Sequence, residues 1–262
     1  MTKAVKPTRV SSPPPFETAS LKKGLKDFYE LQYEHDPSGN PRRIGSYKWG
    51  VYIFYDYDRE PIYVGQTNER VSGRIGRHLT NQRTDAVAMS VLDPFEVFEI
   101  EVYPLPGFDG VHSKHPDFKA AKQHLNALEH WVHQRAISES KFKAILNEKD
   151  PDPPKVKINA PASLRGCIVS DDVMRLRSHP DVRIARRAQT ISKLAQVISE
   201  RDIKGEGGLR RVLVVQSQRL EALARDRYKN LGGDALVARG AEGDELPEDY
   251  AADESVSRHP ST

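Results

Sequence analysis

Apolar residues recur along the chain with two periods, and the places where the period changes mark its elements. In SLKKGLKDFYELQYEH, Leu21, Leu25, Phe28 and Leu31 fall three and four apart, which predicts one amphipathic helix. A turn-rich connection, DPSGNPRRIGSYKWG, leads into GVYIFYDYDREPIYVG at 50–65, which reads as two short apolar strands joined by an acidic turn. NERVSGRIGRHLTNQ then sets Val71, Ile75 and Leu79 four apart along a second helix. FEVFEIEVYPL, 95–105, alternates Phe98, Ile100 and Val102 with Glu99 and Glu101, the pattern of a half-exposed strand. After the loop PLPGFDGVHSKHPD, a helix from about Phe118 to Ser138 carries Ala121, Leu125, Leu128, Val132 and Ala136 as its stripe. DPDPP, Asp150 to Pro154, reads as a linker, and 180–202 and 207–228 read as two amphipathic helices separated by KGEGG.

These elements predict a mixed α/β (α+β) core at 50–150 with antiparallel pairing. Around it stand a Pro/Ser/Thr-rich disordered arm at 1–19, the N-terminal helix and its connection at 20–49, and a helical extension at 155–231. An acidic disordered tail occupies 232–262.

Strand parity gives the hairpin a candidate chemistry. With a two-residue loop of Tyr57 and Asp58, Tyr52 and Tyr63 stand directly opposed, and any loop of even length keeps them on one face. Two phenols side by side are either a cross-strand packing pair or one wall of a site. Arg74 and His78, four apart on the next helix, share a side of it and form either a solvated face or a hydrogen-bond-donating surface suited to phosphate. Gly73 and Gly76 flank Arg74 and weaken that helix by roughly 1 kcal/mol each relative to alanine, a cost that points to a close backbone approach. Glu129 lies within the apolar stripe of the long helix, four after Leu125 and three before Val132, so its carboxylate must be paired, metal-bound or at the rim of the core.

Composition adds an asymmetry. The net charge of +3 over 262 residues combines −6 from Gly232 onward with +9 before it, so a basic body carries an acidic end, and a basic body suits a polyanion. Cys167 is the single cysteine, which excludes an internal disulfide and a cysteine-rich zinc site. The opening residues hold no signal-peptide core and no stretch reaches the length of a membrane span, so the expectation is a soluble, cytoplasmic protein with no membrane partner. His112, His115, His130 and His133 have zinc-like spacing or are loop and surface histidines. The basic run from Arg175 to Lys193 is either a solvated helix face or an extension that grasps DNA or forms dimers.

GVY at 50–52, YVG at 63–65, Arg74 and His78 on a helix, Glu129 on another and a later Asn147 resemble the GIY-YIG endonuclease superfamily, with valine in both tripeptides in place of isoleucine. The resemblance implies a small three-stranded antiparallel sheet flanked by helices, and hydrolysis of DNA phosphodiester bonds with one divalent ion, Mg2+ or Mn2+. It implies Glu129 as the metal ligand, Arg74 as a donor to the phosphate, and Tyr52 as the acceptor of the proton from the attacking water. Tyr63 and His78 would orient water, phosphate or Tyr52, Asn147 would complete the catalytic set, and Gly65, Arg70 and Arg77 would touch substrate. A free phenol titrates near 10, so the role given to Tyr52 requires a shift by metal, Arg74 or His78. The architecture favours a stand-alone restriction or mobile-element nuclease. The alternatives are an inactive nucleic-acid-binding or assembly protein of the same fold and a repair-associated, structure-specific nuclease. Cutting both strands from one site per chain implies a homodimer or two successive cuts.

Overall fold

The computed structural model describes residues 16–80, 91–200 and 208–233. The arm before Phe16, residues 201–207 and the acidic end from Asp234 lie outside the described residues, as does most of the KGEGG connection. In chain order the elements are α1 (Phe16–Tyr29), β1 (Gln32–Tyr33), β2 (Arg42–Arg43), β3 (Gly50–Tyr55), β4 (Pro61–Thr67), α2 (Val71–Leu79), β5 (Glu99–Pro104), α3 (Phe118–Glu139), β6 (Leu164–Cys167), α4 (Asp171–Arg177), α5 (Pro180–Glu200) and α6 (Leu209–Asn230). The fold is α+β: β1 and β2 form a small ribbon, and the main sheet runs β4-β3-β5-β6 with every neighbouring pair antiparallel.

The central strand explains the two-layer core. Every residue of β3 is buried, so its apolar run is continuous because both faces are covered. Tyr52 and Phe54 face a cluster that includes Leu21, Leu25 and Phe28 of α1 and Val71, Ile75 and Leu79 of α2. Val51, Ile53 and Tyr55 face the opposite cluster, where Ala121, Leu125, Leu128, Val132 and Ala136 of α3 pack. The helix spacings seen in the sequence are therefore the spacings of the buried stripes. No described helix is long and apolar enough to cross a membrane.

Five expectations are corrected by the coordinates. The sheet has four strands, because Leu164–Cys167, beyond the Pro-rich DPDPP segment, returns to pair with β5. The first helix begins at Phe16 and ends at Tyr29, so the N-terminal arm contributes its last residues to α1, and Leu31 lies outside the helix at 41% exposure. Glu101 is buried, not solvated: it accepts hydrogen bonds from the hydroxyls of Tyr55 (2.5 Å), Tyr103 (2.8 Å) and Ser163 (2.6 Å) and pairs with Arg135 at 3.0 Å.

The hairpin register differs as well. Tyr52 pairs with Gly65 and Phe54 with Tyr63, with a bulge at Phe54/Tyr55 and a turn closed by Asp56 N to Glu60 O at 3.0 Å. The slide by two residues preserves the shared face of Tyr52 and Tyr63 and ends their direct opposition.

The arginines at Arg177, Arg183 and Arg187 are buried, so α4 and α5 do not present them as a solvated face. Asp56, in the hairpin turn, lies 2.6 Å from Arg219 and 3.3 Å from Arg187, while Arg183 grips Asp58 with two bonds of 2.8 and 2.6 Å. Arg187 also reaches Glu96 at 3.0 Å, and Arg177 reaches Glu17 at 3.1 Å. Buried charges must be paired, and the turn's acidic residues supply the partners that fix α5 and α6 against the hairpin.

Candidate active site

On the α2 side of the sheet, Tyr52 is fully buried, and its hydroxyl lies 3.3 Å from Nδ1 of His78. The ring of His78 meets Tyr63 edge-on with 4.6 Å between centroids, and Tyr63 stacks on Phe54 at 5.9 Å. Tyr63 and His78 both keep part of their surface in contact with solvent. Gly65 makes this packing possible. A Cβ built there would lie 2.5 Å from both Cζ and Oη of Tyr52, so the ring of Tyr52 occupies the space that any side chain at 65 would need. Gly50 has a different reason: its Cβ would come 2.8 Å from the carbonyl oxygen of Tyr103 on β5.

Glu129 approaches from α3 on the other face. It is half-buried and accepts a hydrogen bond from Gln66 Nε2 at 2.7 Å, and Gln66 also reaches Asn126 at 3.3 Å. Burial pushes the Glu129 carboxyl above its ordinary range, and the Gln66 hydrogen bond and the charges of Lys122 and Arg74 draw it part of the way back. Arg74 is therefore within electrostatic reach of Glu129, yet among the described residues it makes no ion pair, and its Nε is buried without a hydrogen-bond partner. A guanidinium held near a carboxylate but not bonded to it keeps donors available to an anion.

Asn147 plays a different part from the other sequence candidates. Its side-chain oxygen accepts from Val64 N at 3.0 Å and its amide donates to Val64 O at 2.8 Å, so it pairs with the edge strand β4 as another strand would. Leu146 N adds a 2.8 Å bond to Ile62 O, and Arg211 of α6 holds the carbonyl of Asn147 at 2.5 Å. Asn147 also lines, with Tyr63 and His78, a cavity of about 190 Å³. Arg70 and Arg77 sit on a further flank of α2, Arg70 exposed and Arg77 paired with Glu69 at 2.5 Å. Sequence reasoning passed over Gln66 and Lys122. Gln66 follows YVG directly, and alternation turns it to the α3 face, while Lys122 precedes Glu129 by two helical turns on the same stripe.

Comparison with protein families bears on the part of this arrangement that lies on the sheet and α2. Residues 48–107 match the GIY-YIG catalytic domain. The match takes in β3, β4, α2 and β5 with Tyr52, Tyr63, Arg74 and His78, and it is a match to a nuclease domain. Glu129 and Asn147 lie beyond the matched residues and come to the GIY-YIG segment through α3 and the β4 edge. No curated protein and no solved structure matches the chain.

GIY-YIG nucleases depend in general on a divalent metal. Among the described residues no three His, Cys, Asp or Glu side chains converge as a metal cluster, so the spacing of His112, His115, His130 and His133 does not build a zinc site. His133 is fully buried beside Asp150, at 3.5 Å, rather than on the surface. A lone, half-buried carboxylate such as Glu129 suits Mg2+ or Mn2+, because Mg2+ keeps several waters and is commonly held by one or two carboxylates together with phosphate oxygens.

Proposed function

We propose that this chain is an endonuclease that hydrolyses phosphodiester bonds in DNA with one divalent cation, Mg2+ or Mn2+, held by Glu129. The observation that carries the reading is an Arg74 whose buried Nε has no hydrogen-bond partner, within electrostatic reach of Glu129 and one helical turn before the His78 that meets Tyr52 and Tyr63. When bound, the cation supplies charge stabilisation to the phosphate and to the leaving oxygen.

The protein's own groups divide the remaining work. Arg74 donates to the non-bridging phosphate oxygens, where negative charge accumulates as the water oxygen bonds to phosphorus and the phosphorus–oxygen ester bond breaks. The water's proton goes to the exposed edge of the cluster, where His78 accepts it. Full burial of Tyr52 favours a role behind His78, orienting the imidazole across the 3.3 Å contact, over direct contact with the water. Tyr63 holds the ring from the other side. Asn147 acts as a positioning residue that fixes β4, and Gln66 fixes the carboxylate of Glu129. A stand-alone enzyme of the restriction or mobile-element type, in which two chains pair to cut both strands, fits this reading.

Incubation of supercoiled plasmid with the purified protein and Mg2+ tests it. The wild type should convert plasmid to nicked and linear forms, and Arg74→Ala and Glu129→Ala should bind DNA but leave it supercoiled. A wild type that binds and never cuts, with Mg2+ or Mn2+ and across salt concentrations, would identify a binding protein on a nuclease fold.

A further inference from the structure

We propose that the groove between α1 and α2 is a track for a nucleic-acid phosphodiester backbone, leading away from the catalytic flank of α2. This rests on the nuclease reading above and extends it to a surface outside the catalytic cluster. The groove encloses about 510 Å³ and is lined by Lys22 and Lys26 of α1, Arg43 before the turn, and Arg70, Gly73 and Arg77 of the α2 segment. Among the described residues Glu30 is the single carboxylate on its wall, and it is already paired with Arg43 at 3.1 Å. Arg77 is likewise paired, with Glu69 at 2.5 Å, whereas Lys22, Lys26 and Arg70 make no ion pair among the described residues, so three of the five groove cations stand unneutralised, the electrostatic footprint of a polyanion.

The glycines of α2 are an independent pointer to a ligand. Glycine weakens a helix interior, and close packing by another element of the chain is the ordinary reason to keep one there. Neither Gly73 nor Gly76 has that reason among the described residues. A Cβ at Gly73 would find only Arg70 Cβ and Arg77 Nη1, both at 3.9 Å, and a Cβ at Gly76 only the hydroxyl of Tyr29 at 3.8 Å, all ordinary contacts. The space these glycines leave belongs to the groove, so no described element of the chain fills it and a ligand can approach the helix backbone there.

Helix geometry connects the groove to the site. Successive residues turn by about 100°, so Gly73 and Arg77 lie one residue's rotation from Arg74 and His78 respectively. Val71, Ile75 and Leu79 are buried, which leaves the catalytic and groove flanks adjacent on the outer half of α2. A strand whose scissile phosphate sits at Arg74 can therefore continue over the helix into the groove. Ser72 and Gly73 stand in the first turn of α2, which has no side-chain cap, and their amides add to the anion-attracting field without being its main source.

The test is equilibrium binding of a fluorescein-labelled DNA duplex by anisotropy, with the full chain in EDTA so that nothing is cut, over a range of salt. The K22A/K26A double variant should bind several-fold more weakly at low salt, with a slope of log K against log salt reduced by about two. Gly73→Ala separates a ligand role from a structural one: it should raise the thermal midpoint, since its Cβ has room, and still weaken binding. Wild-type affinity and slope in both variants would overturn the proposal, as would a wild type that binds no DNA. Groove-dependent binding with no cutting of plasmid in Mg2+ would leave the track standing and remove the nuclease reading. Cutting with groove-independent binding would do the reverse.

Discussion

Replacing Gly65 by alanine should damage both stability and activity. The added methyl would sit 2.5 Å from Cζ and Oη of Tyr52, about an ångström inside normal contact. Tyr52 has little room to yield, since its ring is fully buried with Phe54 at 5.1 Å on one side and His78 at 6.4 Å on the other. Overpacking of this kind costs about 1–3 kcal/mol, and displacing the phenol from His78 forfeits a hydrogen bond worth about 1 kcal/mol. Alanine also reduces the entropy of the unfolded chain, which returns about 0.4–1 kcal/mol. The net loss is about 1–3 kcal/mol, or roughly 3–10 °C of thermal midpoint for a chain of this size. Calorimetry or circular dichroism on Gly65→Ala, beside Gly110→Ala as a control with open space around its Cβ, measures it. A Gly65→Ala protein that melts with the wild type and cuts at the wild-type rate would refute the argument that this glycine exists to seat Tyr52.

Four other predictions, using five substitutions, follow from the same structure. Asp56→Ala leaves the buried Arg187 and Arg219 without their shared carboxylate and should cost about 3–5 kcal/mol in chemical denaturation. Asn147→Ala strips the amide and carbonyl of Val64 of their partners and should cost about 1–3 kcal/mol, with protease sensitivity rising along β4. Burial holds His133 below its ordinary pKa of 6.5, so the unfolded chain binds the extra proton first. The stability His133 confers is present above about pH 6.5 and is lost on acidification, by at most about 1.4 kcal/mol per pH unit. Thermal midpoints from pH 7.5 to 5.5 should show a fall that flattens in His133→Phe, with those pH values as about the useful range. In cleavage assays His78→Ala should lose more rate than Tyr52→Phe and should abolish the acidic limb of the pH–rate profile, which a purely structural histidine would leave in place.

The local patterns in the sequence were enough for the parts of the fold that depend on local periodicity. Val71, Ile75 and Leu79, and the α3 stripe from Ala121 to Ala136, are buried because a helix repeats its face, and that repeat is visible without a structure. Parity likewise set Tyr52 and Tyr63 on one face for any loop of even length, and the observed register keeps them there. What escaped was set by partners distant in sequence. Glu101 alternates like an outward residue but is sunk among Tyr55, Tyr103 and Arg135. Arg183 and Arg187 look like a solvated helix face because Asp56, Asp58 and Glu96 are all far from them along the chain. LRGC at 164–167 is too short and too polar to announce a strand, and it exists because β5 offers an edge. At the candidate site, the shared face of the tyrosines and the shared side of Arg74 and His78 on α2 were legible from spacing, whereas the use of Asn147 as a surrogate strand partner required β4 to be seen as an edge.

The central claim is that Glu129 and Arg74 act on one phosphate beside the Tyr52–His78 pair. Its most direct test is single-turnover cleavage of a labelled duplex in Mg2+ by wild type and Glu129→Gln, with binding of the same duplex measured in EDTA for both. The prediction is equal binding and a rate lower by at least about a hundredfold in Glu129→Gln, the scale expected for loss of a group that stabilises transition-state charge. Equal binding with equal rates of cutting would contradict it.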